Sequence, residues 1–192
     1  MNIEFEATFA NINKDQIREK LRSVGAELKR PEYLQKRVSF NLPSGHEISG
    51  GWLRVRDEGD KVTMSLKVVN GSKIEDQKET MLVINDFNQA ELLLTAIGCK
   101  KKAFQESKRE LWILDGTEIT IDEWPFLEPF VEVEGVSEEL VKTVSEKIGF
   151  DYSTALFCAV DTLYCLKYGI QPEVINNQTS EIVFRGVNPF TK

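Results

Sequence analysis

The chain has 192 residues, 41% hydrophobic and 29% charged, a balance that fits one folded domain with a sizeable core and excludes a disordered or low-complexity polymer. Its 24 Lys and Arg against 31 Asp and Glu leave a formal net charge of -7, which argues against nonspecific nucleic-acid binding but permits an internal cationic pocket. Three scattered cysteines, Cys99, Cys158 and Cys165, and a single histidine, His46, exclude a disulfide framework, a His-based zinc cluster and repeated His dyads.

At the N-terminus Ile3, Phe5 and Ala7 alternate with Glu4, Glu6 and Thr8. Residues two apart share one face of a strand, so the two carboxylates point together. Taken alone, the pair fits a solvated edge strand as well as it fits a metal site. Residues 13 to 25 follow as a helix, with Ile17, Leu21 and Val24 on one stripe and Gly25 as the stop.

Gly50 and Gly51 precede a strand, Trp52-Leu53-Arg54-Val55-Arg56, and Asp57-Glu58-Gly59-Asp60 reads as its hairpin turn. The return strand, 61 to 69, carries Lys67 on the face opposite Val62, Met64, Leu66 and Val68. The hairpin thus brings Arg54, Arg56 and Lys67 toward one polar surface. Residues 78 to 84 form a further strand with Glu79, and 87 to 97 a helix with Phe87, Ala90, Leu94 and Ile97 toward the core.

A second hairpin, 108 to 114 and 118 to 122 across Asp115-Gly116, carries Arg109 and Asp122, and Phe130-Val131-Glu132-Val133-Glu134 again alternates. Ser137 caps a helix at 138 to 148. A last helix is expected from Ser153 to Tyr168, stopped by Gly169, with a short strand at 182 to 184 in the remaining tail.

No linker or repeat divides the chain, so a single domain over 1–192 is expected, with a peripheral C-terminal extension from about residue 170. No apolar run approaches the roughly 20 residues of a membrane helix, and a cytoplasmic location is expected, without a nucleic-acid or membrane partner. Homodimerisation is left open.

This many strands can close into a barrel with helices outside, which removes exposed edges and turns one face of every strand inward. With polar faces inward, Glu4, Glu6, Glu132 and Glu134 could hold Mg²⁺ or Mn²⁺, hard ions that take oxygen ligands. Arg54, Arg56, Lys67 and Arg109 could contact phosphate oxygens. Solvated charged strand faces are the competing reading.

The ordered motifs Glu4-Phe5-Glu6, Gly51-Trp52-Leu53-Arg54-Val55-Arg56, Ser65-Leu66-Lys67, Glu79, Lys108-Arg109-Glu110-Leu111-Trp112, Ile121-Asp122-Glu123-Trp124-Pro125 and Phe130-Val131-Glu132-Val133-Glu134-Gly135 resemble the CYTH family, also called triphosphate tunnel metalloenzymes. The family includes class IV adenylyl cyclases, thiamine triphosphatases and inorganic triphosphatases. The resemblance implies a β-rich α+β fold with a closed eight-stranded antiparallel barrel and external helices. It implies metal binding at Glu4, Glu6, Glu132 and Glu134, with Glu79 and Asp122 at further acidic positions. Phosphate contact is implied at Arg54, Arg56, Lys67 and Arg109, with Lys167 as a looser C-terminal match.

Metal-dependent triphosphate hydrolysis is the activity so implied, with cyclisation of ATP to cyclic AMP and pyrophosphate, or ligand binding without turnover, as alternatives. The ligands would be a triphosphate-containing small molecule and a divalent metal. Two departures stand out: Thr8 occupies the usual lysine position of Glu-x-Glu-x-Lys, and Met81 stands where many relatives carry an acid.

Overall fold

Period-two alternation builds one extended sheet, seen in a computed structural model that describes residues 1–191. Its strands are β1 (Asn2–Ile3), β2 (Phe5–Phe9), β3 (Glu27–Asn41), β4 (Gly51–Asp57), β5 (Val62–Val69), β6 (Gln77–Ile84), β7 (Lys100–Leu114), β8 (Thr117–Glu123), β9 (Phe130–Gly135) and β10 (Glu181–Ile182). The neighbour order is β1-β6-β5-β4-β3-β7-β8-β9-β2, antiparallel throughout, while β10 lies outside this path and pairs parallel with β7.

The two ends of that order are consecutive pieces of one N-terminal segment, so the sheet curls into a nearly closed barrel. Glu4 is the handover point. Before it, β1 pairs with β6 (Ile3↔Lys78), and after it β2 pairs with β9 (Phe5↔Gly135). The expected sealed barrel of eight strands is therefore corrected to a nearly closed barrel of nine. The physical reason is the split at Glu4: one strand spans a gap between β6 and β9, which do not pair with each other. Backbone groups at the seam remain satisfied, because the Glu4 amide donates to the Gln77 carbonyl at 2.9 Å and the Gln77 side-chain amide donates to the Glu6 carbonyl at 2.7 Å.

The core lies outside this barrel. Helices α1 (Lys14–Ser23) and α3 (Glu138–Lys147) set Ile17, Leu21, Val141 and Val144 against the outward Ala7, Phe9, Ile119, Val131 and Val133. Helix α2 (Phe87–Ala96) sets Ala90 and Leu94 over Val38, Phe40 and Val55. Each fully buried aliphatic or aromatic side chain there contributes about 1.5–3 kcal/mol relative to exposure. The energy that curls the sheet thus comes from its outer face, which leaves the inner face available for charge. Asn13 caps α1 by accepting from the Asp15 and Gln16 amides, as an N-cap side chain should.

Three sequence expectations change. The helix anticipated from Ser153 to Tyr168 is only α4 (Val160–Tyr168), preceded by a short 3₁₀ turn at Tyr152–Thr154. The chain between them is extended because Leu156 exchanges two backbone hydrogen bonds of 2.9 Å with Thr8. Strand β3 was not foreseen, and β7 begins at Lys100 rather than Lys108; these two long strands pair from Glu27↔Ile113 to Asn41↔Lys100. The tail strand is shorter than expected, at Glu181–Ile182. It anchors a segment whose Ile175, Ile182 and Phe190 pack with Trp124, Phe130, Leu163 and Tyr164. No helix among the described residues is long and apolar enough to cross a membrane.

Candidate active site

The inward positions of the strands surround a cavity of ≈ 290 Å³. Glu4 and Glu6 reach it from the N-terminal segment, Arg37 and Ser39 from β3, Arg54 and Arg56 from β4, and Lys67 from β5. Glu79 of β6, Arg109 of β7, Glu118 of β8, Glu132 and Glu134 of β9, and Glu58 and Lys61 from the turn between β4 and β5 complete the charged lining. A second cavity of ≈ 390 Å³ shares Ser39, Trp52, Gln105 and Cys158–Val160 with it. Gly50 borders that second chamber at φ +68°, and a Cβ there would lie 2.0 Å from the Val69 carbonyl oxygen, so glycine is required for the close approach of β4 and β5.

Carboxylates gather around the N-terminal segment. One oxygen from each of Glu4, Glu6 and Glu134 lies within 4.8 Å of the others, a spacing suited to one ion. Burial, reinforced by Glu132 and Glu4, raises the Glu6 carboxyl well above the usual carboxylate range. Burial and Glu4 push Glu134 up to about 7. These carboxylates are electrostatically short of positive charge, the condition that a bound divalent cation relieves. An all-oxygen donor set fits a hard cation.

Cations stand mainly on the opposite wall. Arg54 donates to Glu79 at 3.1 Å, and Arg56 pairs with the buried Glu58 at 2.7 Å. Burial alone would raise Glu79, but Lys67 and Arg54 outweigh it and hold the carboxyl at about 2. Burial, Arg54 and Arg109 lower Arg56 to about 10. Lys67 donates to Glu4 at 2.8 Å; burial disfavours its charge, yet Glu4 leads a set of carboxylates that raise its pKa overall. The Nε atoms of Arg37, Arg54 and Arg56 are buried without a hydrogen-bond partner. Unpaired donors on side chains that line a cavity fit an anionic ligand, since leaving them unpaired is costly.

Arg109 is bound differently. Its Nε and Nη2 donate to the two oxygens of Asp122 at 2.8 and 2.9 Å, and Nη2 also donates to Glu132 at 2.5 Å. Asp122 is 0% exposed, accepts from Thr120 at 2.7 Å and does not line the cavity. Its position makes it a holder of Arg109. Burial disfavours the Arg109 charge, but Asp122 and Glu132 outweigh it and raise the pKa well.

Of the residues anticipated from sequence, Glu4, Glu6, Arg54, Arg56, Lys67, Glu79, Arg109, Glu132 and Glu134 are brought to one cavity. Lys167 is not: it lies on the outside, donating to the Phe126 carbonyl and to Glu128, both at 2.8 Å. Thr8 is buried and absent from the cavity wall; its strand is bridged by Leu156, and Cys158 lines the tunnel nearby. Sequence reasoning missed Arg37, Glu58 and Glu118. The alternation Gln35-Arg37-Ser39 opposite Val38 and Phe40 could have signalled the first, and Glu118-Thr120-Asp122 the last. Glu58 looked like a turn residue and carried no such signal.

A charged tunnel through a nearly closed antiparallel barrel, with a carboxylate cluster able to chelate a divalent metal, defines a triphosphate-tunnel-like protein. The chain belongs to the CYTH domain family, whose model matches residues 4–162. No curated protein matches it. Among solved structures, a conserved hypothetical protein from Pyrococcus furiosus is similar at 21% identity and TM-score 0.69, covering 83% of this chain and 99% of that one. A Pyrococcus horikoshii protein gives 20%, 0.68, 83% and 98% in the same terms. A Hippeastrum protein, described as an adenylyl cyclase candidate with a dominant triphosphatase activity, gives 14%, 0.59, 88% and 97%. At these identities the likenesses establish the fold alone.

Proposed function

We propose that this protein hydrolyses a triphosphate in a divalent-metal-dependent reaction inside the tunnel. The observation that carries the reading is the electrostatic division of one cavity: Glu4, Glu6 and Glu134 cluster within 4.8 Å, while buried guanidinium Nε atoms lack partners on the other side. A triphosphate with its metal meets both needs, since the phosphates satisfy the donors and the cation offsets the carboxylates.

Glu4, Glu6 and Glu134 would hold Mg²⁺ or Mn²⁺, which withdraws charge from phosphate oxygens and favours attack at phosphorus. Arg54 and Arg56 stabilise the negative charge on the phosphate oxygens as the bond to the leaving group breaks. Lys67, paired with Glu4, stands between the acidic and basic groups and keeps its charge. Arg109, fixed by Asp122, adds positive charge while also restraining Glu132. Water supplies the oxygen of the new P–O bond at the terminal phosphorus, the diphosphate portion departs with the electron pair of the broken P–O bond, and the proton lost by the water passes to a phosphate oxygen or to solvent. The second cavity adjoining the tunnel offers room for an organic group attached to the phosphates.

The test is a screen of Mg²⁺ and Mn²⁺ against ATP, GTP, thiamine triphosphate and inorganic triphosphate, with phosphate, pyrophosphate and cyclic nucleotide resolved as products. Metal-dependent phosphate release is expected. Cyclic nucleotide with pyrophosphate would assign the chain to cyclisation instead, and tight binding with no product under any pairing would make it a binding module.

A further inference from the structure

Arg37 is a buried cavity-lining cation that the recognised motifs do not contain. It is 5% exposed and sits at an inward position of β3, directly across from Arg56 of β4. Strand β3 lies across the barrel from the N-terminal segment in the strand order, so Arg37 faces the carboxylate wall from the far side. Every other cation discussed in the tunnel has a carboxylate: Arg54 has Glu79, Arg56 has Glu58, Lys67 has Glu4, and Arg109 has Asp122 and Glu132. Among the described residues, Arg37 has none within ion-pair distance.

Its contacts position it without neutralising it. Nη2 donates to the Gln35 side-chain oxygen at 2.7 Å and to the Ser107 hydroxyl, and the guanidinium carbon lies 4.3 Å from the centroid of the Trp124 ring. Nε is buried with no partner. Burial, followed by Arg56, Arg54 and Arg109, lowers the Arg37 pKa well below its ordinary value. A buried cation among like charges destabilises the ligand-free fold. A ligand that brings concentrated negative charge removes that penalty, and a terminal phosphate does so best. It carries up to two charges on three non-bridging oxygens, whereas an internal phosphate carries one charge on two.

We propose that Arg37 completes, with Arg54 and Arg56, a guanidinium cradle selective for a terminal phosphate group. The inference rests on the triphosphate reading above and specifies which part of the ligand the β3–β4 wall grips. Gln35, Ser107 and Trp124 act as positioning residues that preset the Arg37 fork.

The test compares linear tripolyphosphate with trimetaphosphate, a cyclic ion with the same number of phosphorus atoms and no terminal phosphate, by calorimetry without divalent metal, so that the proposed hydrolysis does not consume the ligand. Arg37→Gln should weaken linear tripolyphosphate binding by about tenfold or more, the scale of one lost charge-assisted hydrogen bond, and change trimetaphosphate binding by less than about threefold. The ligand-free variant should melt at the same temperature as the parent or higher. Equal losses for both ions, no loss for the linear ion, or a clearly lowered melting temperature would each overturn the inference. Arg37→Lys, which retains charge but not the fork, should bind the linear ion with intermediate affinity; parental affinity there would overturn the inference. Arg54→Gln separates the two levels of the argument. If it weakens linear tripolyphosphate binding while Arg37→Gln does not, only the Arg37 role fails; if neither matters, the tunnel reading fails with it.

Discussion

Replacing Arg109 by Met tests the most completely bonded charge in the tunnel. The substitution removes contacts of 2.8 and 2.9 Å to Asp122 and 2.5 Å to Glu132. Asp122 is 0% exposed, and Thr120 can return only one hydroxyl hydrogen bond to it, so its carboxylate would be stranded. Breaking a buried pair from one side costs about 3–5 kcal/mol, because the remaining charge is uncompensated. Against a usual stability of about 5–15 kcal/mol this is a large fraction, and for a domain of this size it lowers Tm by about 6–20 °C. The companion variant Arg109→Met/Asp122→Asn removes the stranded charge and should recover at least about 1 kcal/mol of the loss expected from adding the single effects. Urea denaturation without metal or triphosphate, followed by tryptophan fluorescence, isolates the pair from ligand effects. A single variant within about 1 kcal/mol of the parent, or strictly additive losses in the double variant, would refute the assignment of Asp122 as the holder of Arg109.

Further outcomes follow from the same geometry. Glu134→Gln should weaken Mn²⁺ binding by about tenfold or more in calorimetry, since one of the clustered oxygen ligands loses its charge, while leaving the metal-free protein as stable or more so. Metal affinity should fall with decreasing pH below about 7, where Glu134 takes up a proton, by up to about tenfold per unit for that one site. Because its folded pKa is raised, the Glu134 contribution to metal-free stability is fully present below the ordinary Glu value and lost as pH rises through about 7, and Glu134→Gln should remove that component from a pH series of melting curves. Glu79 has the opposite sign: held at about 2, it contributes stability above the ordinary Glu value that is lost as pH falls toward 2. Gly50→Ala should destabilise by at least about 1–3 kcal/mol in the same denaturation assay, through its positive φ and the 2.0 Å approach to the Val69 carbonyl oxygen.

The amino-acid sequence carried the walls of this site wherever alternation was clean. Glu4 and Glu6, Arg54 and Arg56, and Glu132 and Glu134 each occupy positions two apart, so local geometry puts each pair on one face, and all six line the cavity. The helices were equally legible, since α1, α2 and α3 show apolar stripes and start at Asn13, Asp86 and Ser137, side chains that accept from the first-turn amides. Strand β3 was not, because its first half is charged and contains Pro31, and its pattern becomes regular only where Val38 and Phe40 meet α2. Arg37 was lost with it.

Pairing across the barrel decided what periodicity cannot express. Which carboxylate faces a cation and which faces another carboxylate depends on strands distant in sequence: Arg109 meets Asp122 and Glu132, Lys67 meets Glu4, and among the described residues Arg37 meets no acid within ion-pair distance. The split of the N-terminal strand at Glu4, the break before α4 and the outward placement of Lys167 arise in the same way, from hydrogen bonds with Gln77, Leu156 and Glu128. Local alternation determined that this protein carries charge on one face of its strands. Closure of those strands, driven by apolar burial on the other face, decided which charges are neutralised within the fold and which are left to a ligand.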